Sequence, residues 1–101
     1  MDNTSPPAAI VGLAWYLEVD FEEIKRTMAD GQTAYTTFED WLQSARMSEH
    51  HQQRAGHRVI RATIRPQPFL TWCSARNVSP DAAARKLFAQ TYAQEAAARG
   101  E

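Results

Sequence analysis

The 101-residue sequence contains a single cysteine, Cys73, so no intrachain disulfide is available to hold the fold together. Its longest apolar run, Ala8 to Leu17, is interrupted by a glycine and reaches only half of the roughly 20 residues that a bilayer-spanning helix needs. The four glycines stand apart at positions 12, 31, 56 and 100, which excludes a glycine-rich loop cradling phosphate. Charge of one sign is not in excess either. Eleven Lys and Arg residues against twelve Asp and Glu give a net charge of −1, which excludes a histone-like or polybasic protein. No charged stretch followed by an apolar one opens the chain, so the expected compartment is the cytoplasm and no membrane partner is implied. HExxH and Cys-x-x-Cys pairs are missing as well. No metal or other cofactor is therefore implied.

What is present is enough apolar residue, 44% of the chain, for one modest core. Residues 1–7, with Pro6 and Pro7, carry no apolar periodicity and read as a flexible tail before a single domain over 8–99. From Ile10 to Leu17 bulky residues alternate with smaller or amphipathic ones. This predicts a strand that buries Val11, Leu13, Trp15 and Leu17 on one face. Asp20 then reads as the N-cap of a helix with Phe21, Ile24 and Met28 on one stripe, ending at Gly31 as a left-handed C-cap. Thr37-Phe38-Glu39-Asp40 forms a capping box for a second helix, with Phe38, Trp41, Leu42 and Ala45 apolar, which runs on in polar residues to Gly56. His57 to Arg65 alternates again and predicts a second strand with Ile60, Ala62 and Ile64 inward. Pro68 suits the first turn of a third helix, Phe69 to Arg76. Ser79-Pro80-Asp81 predicts the start of a fourth, with Leu87, Phe88, Thr91 and Tyr92 as its packing stripe.

The expected fold class is α+β: a two-stranded sheet with four helices in the order β-α-α-β-α-α, a strand–helix–helix unit used twice. Two strands leave open edges. These must be covered by helices, left charged, or paired with a second copy in a homodimer.

Ala14-Trp15-Tyr16, Met28-Ala29-Asp30-Gly31, Phe38-Glu39-Asp40-Trp41-Leu42 and Trp72-Cys73-Ser74-Ala75-Arg76, with Gly56, Val59-Ile60-Arg61, Phe69, Ala84-Arg85 and Phe88-Ala89 between and after them, carry a resemblance. Over roughly residues 14–90 the chain resembles a family of short uncharacterised bacterial proteins. The resemblance implies a bacterial cytoplasmic setting and supplies no mechanism.

Chemistry-bearing residues are few. His50, His51 and His57 lie close in sequence, but neighbours on a helix point about 100° apart and do not converge on one ion. Cys73, between aromatic and small neighbours on a helical stripe, reads as a buried hydrophobe rather than a nucleophile. Charge, in contrast, is strongly divided. Residues 1–49 hold nine acids and three bases, net −6, and residues 50–101 hold eight bases and three acids, net +5. Either the two halves dock through opposite fields, the arginines pairing with acids of residues 18–40, or a basic face is offered to a partner. That face would consist of His57, Arg58, Arg61 and Arg65 on the second strand, with Arg61 and Arg65 about 13 Å apart, and Tyr16 alongside as a stacking surface. The leading expectation is a small non-catalytic binding protein that presents a surface to another protein or to itself, as an adaptor, regulator or inhibitor would. The alternative is a nucleic-acid-binding module using that basic face.

Overall fold

A computed structural model describes residues 9–31 and 37–100. The expected tail at 1–7 lies outside the described residues. The architecture is α+β, with two strands and, among the described residues, four α-helices in the order β-α-α-β-α-α. Strand β1 (Ile10–Trp15) is followed by a 3-10 turn (Glu18–Asp20), helix α1 (Phe21–Thr27) and helix α2 (Phe38–Arg54). Strand β2 (Arg58–Thr63), helix α3 (Pro66–Ala75) and helix α4 (Ala82–Ala98) complete the chain. The strands pair in parallel, with Ile10 opposite Arg58 and Trp15 opposite Thr63. A parallel pair needs a long crossover between its strands, and α1 and α2 supply it.

Local chemistry accounts for most element ends. Thr37 Oγ1 accepts the Asp40 amide at 3.0 Å, as the capping box requires. Gly56 follows α2 with φ +93°, a backbone that glycine adopts without strain. The strands end two residues short of the sequence reading, at Trp15 and Thr63, and several helix ends differ from it as well. Helix α4 starts at Ala82, capped by Asp81 Oδ1 on the Ala84 amide rather than by Ser79. Helix α3 starts at Pro66, not near Pro68. Asp20 precedes α1 but makes no side-chain cap: it closes the 3-10 turn with helical backbone angles, and its carboxylate accepts from Arg65. Helix α1 ends at Thr27, and the reason for glycine at 31 is space: a Cβ there would overlap the Lys25 carbonyl.

The main core lies beyond the C-terminal ends of the strands. Trp15, Tyr16, Phe21, Ile24, Trp41 and Phe69 are buried in it, with Phe38, Leu42, Trp72 and Phe88 packed around them. Trp15 and Trp41 meet edge to face with ring centroids 5.3 Å apart, and Phe88 stands edge-on to both Phe69 and Trp72.

The other end of the sheet is closed by small residues. Gly12 lies so close to α4 that a Cβ would overlap the Ala89 carbonyl oxygen and fall 2.9 Å from the Ala93 Cβ. Helix α4 therefore turns Ala84, Ala89, Ala93 and Ala96 inward, and the expected stripe is displaced: Leu87 is 53% exposed and Tyr92 also faces outward. The face of β1 is likewise corrected. Leu17 is exposed, while Tyr16 is buried at 2%. No helix among the described residues is long and apolar enough to cross a membrane.

Candidate functional site: the open edge of β1

The residues of the expected basic face do not form one surface. Arg61 lies on β2, half exposed, but its Nε and Nη2 donate to Glu49 Oε2 and Oε1 at 2.7 and 2.8 Å. Its guanidinium sits 3.9 Å from the centre of the Trp15 ring. The hydrogen bond from Arg61 holds the Glu49 carboxyl below its ordinary range and raises Arg61 in turn. Arg65 lies past the end of β2, at the N-cap of α3, because Pro66 turns the chain into a helix. It donates to buried Asp20 instead of continuing a strand face. Arg58 is exposed. His57 is half-buried, its Nδ1 accepting the Ala9 amide at 3.2 Å. Tyr16, expected as a stacking surface, is buried with its ring 4.7 Å from that of Trp41, because the strand ends at Trp15 and turns it into the aromatic core.

A further arginine lies outside the expected basic face. Arg85 on α4 is 5% exposed and donates through Nη1 and Nη2 to Asp30 Oδ1 and Oδ2, both at 2.7 Å. The bond from Arg85 holds the Asp30 carboxyl below its ordinary range, against the opposing effect of burial. Arg61, Arg65 and Arg85 thus join second-half cations to first-half anions. Asp20 and Asp30 fall in the acidic stretch where partners were expected, and Glu49 beyond it.

Cys73 is buried, and desolvation pushes its thiol upward, the reverse of what a thiolate nucleophile needs. His50 and His51 are exposed on α2, and no group of three or more His, Cys, Asp or Glu among the described residues is placed to hold a metal ion.

The largest feature that residue types alone did not locate is the free edge of β1. Ala9 and Trp15 give their carbonyls to Arg58 and Ile64 of the neighbouring segment. The strand's alternation then turns the backbone groups of Ile10, Gly12 and Ala14 away from β2. Gln90 of α4 reaches this edge. Its amide donates to the Ile10 carbonyl at 2.7 Å and accepts the Gly12 amide at 2.9 Å. Those are the two bonds that a residue of a third strand would make opposite Val11. Beyond this one rung, the Gly12 carbonyl and the Ala14 amide and carbonyl have no partner among the described residues.

These groups face a groove of about 540 Å³ between α2 and α4, with Trp41 and Gln52 on one wall and Ala82, Lys86 and Gln90 on the other. A smaller slot of about 220 Å³ adjoins it, sharing Leu13, Ala14 and Trp41 and extending past Ala45 to Ser44 and Ser48 of α2. The need to cover an open edge was readable from a sheet of two strands. Which edge stays open, and that a glutamine fills one rung of it, depends on a contact between residues 80 positions apart. No family model, curated protein or solved structure matches this chain.

Proposed function

We propose that this is a non-catalytic binding protein that takes an extended segment of a partner protein as an added strand on β1. The observation that carries the reading is the row of unpaired backbone groups at Gly12 and Ala14 facing a groove, next to a rung that Gln90 already completes. An incoming strand gains main-chain hydrogen bonds there, and the adjoining slot receives one of its side chains. The thiol chemistry supports a non-catalytic role, since burial holds Cys73 protonated. A nucleic-acid role for His57, Arg58, Arg61, Arg65 and Tyr16 has less support. It needs free arginines, whereas Arg61 and Arg65 are held by carboxylates and Tyr16 is buried.

The test is amide exchange at single residues while the protein is titrated with short strand-forming peptides. The Ala14 amide, open to the groove, is expected to exchange fast in the free protein and to slow on binding. The Leu13 amide, turned toward β2, is slow in both states. Ala14→Pro removes the edge donor without touching the β1–β2 ladder, and is expected to abolish binding. Ser48→Trp blocks the slot from the exposed side of α2 and serves where the proline disturbs the strand. Peptides that leave Ala14 exchange unchanged, or that bind elsewhere, overturn the reading.

A further inference from the structure

Resting on that reading, we propose that the segment taken up at the β1 edge is an acidic strand with a two-residue alternation, its apolar side chains entering the slot beside α2 and its carboxylates meeting Lys86 on α4. A strand added to a sheet points successive side chains to opposite faces, so the two walls of the groove read alternate residues. The slot on the α2 side is mainly apolar. Leu13, Trp15, Trp41 and Ala45 line it together with the small hydroxyl side chains of Ser44 and Ser48, and about 220 Å³ accommodates a valine or leucine side chain.

The α4 side presents Ala82, Lys86 and Gln90. These lie four residues apart on one helix face, and each step of four advances about 6 Å. Two residues of strand advance about 6.6 Å. Gln90 marks the rung at Ile10 and Gly12, and Lys86, one helical turn away, lines the same groove as the unpaired groups of Gly12 and Ala14.

Charge selects the occupant. The charged side chains lining the groove are Arg85 and Lys86, with no carboxylate among the lining residues. Asp30 neutralises Arg85, which leaves the exposed ammonium of Lys86 as the charge to be met. A second copy of the chain meets it poorly. Its β1 segment, IVGLAW, has no charged residue and would bring a second Lys86 toward the first. An acidic partner strand supplies the missing sign.

The experiment uses the whole protein and three blocked octapeptides: alternating Val-Glu, alternating Val-Lys and alternating Val-Thr. Affinity is read by calorimetry and pairing by exchange at Ala14. The Val-Glu peptide is expected to bind best, with the Val-Lys peptide roughly tenfold weaker. Lys86→Glu is expected to reverse that order, and Lys86→Gln to remove it. Equal affinity of all three peptides, with Ala14 protected and Lys86→Glu without effect, overturns the acidic preference and leaves the edge reading standing. No protection of Ala14 by any peptide overturns both. A dimer in sedimentation whose Ala14 amide is protected without peptide identifies the occupant as a second copy and overturns the proposal.

Discussion

The two ends of the sheet are held by opposite means. At the C-terminal end, Trp15, Tyr16, Phe21, Phe38 and Trp41 bring large rings together, and burial of apolar area holds the elements in place. At the other end, Gly12 meets Ala89 and Ala93, and the helix approaches because nothing stands between. The first arrangement spreads its contact over many ring atoms. The second has no slack, because a single added methyl group strikes a backbone carbonyl. Large side chains make the aromatic end stable, and small ones bring α4 near enough for Gln90 to reach the β1 edge.

The largest effect should come from emptying the aromatic end. Trp41→Ala is expected to cost about 3–5 kcal/mol in a denaturant titration, because Trp41 is buried and touches Trp15, Tyr16 and Phe38. A loss below about 1 kcal/mol would mean that the rings do not carry that end. Filling the tight end comes next. Gly12→Ala is expected to cost about 2 kcal/mol by pushing α4 off the strand, and to speed exchange of the Gly12 amide as its bond to Gln90 lengthens. An unchanged melting temperature would show that the contact is looser than described.

Acid should then act on the ion pairs that flank the sheet. The folded-state values of Asp30 and Glu49 lie below their ordinary ones, so the stability that both contribute is complete near neutrality. It is lost as pH falls below about 4, through the unfolded value and toward the lower folded one. Glu49→Gln should make the fall of the melting temperature with acid shallower. An identical profile in parent and variant would remove Glu49 from that account. The smallest effect is expected where the sequence pattern pointed to a core residue: Leu87→Ala should cost under about 1 kcal/mol, because Leu87 is half exposed. A loss as large as that of Trp41→Ala would restore Leu87 to the core.

Much of the fold was legible in short-range patterns. The capping box at Thr37, the glycine at 56 and the alternation at 10–15 and 58–63 each depend on neighbours a few residues away, and each marks an element that forms. Strand direction was not legible, since a period of two is the same in parallel and antiparallel sheets. The stripe of α4 follows contact rather than side-chain size. Gly12 meets the helix at Ala89 and Ala93 with no room for a Cβ, so small residues face inward there. The division of charge was visible in bulk, but the pairing of Arg85 with Asp30 and of Arg65 with Asp20 depends on tertiary contacts. The groove was legible only as a need for edge cover.

The reach of Gln90 also leaves the β1 edge uncovered for much of synthesis. Its bonds to Ile10 and Gly12 span 80 and 78 residues, and the strand pairing itself joins Ile10 to Arg58. A growing chain therefore exposes β1 long before β2 leaves the ribosome, and longer still before α4 arrives to seal a rung of its edge. Loop closure over such distances is slow, and an unpaired apolar strand is sticky while it waits. In refolding, where the whole chain is present from the start, the same long-range contacts must form before the β1 edge is covered, and yield should fall as protein concentration rises.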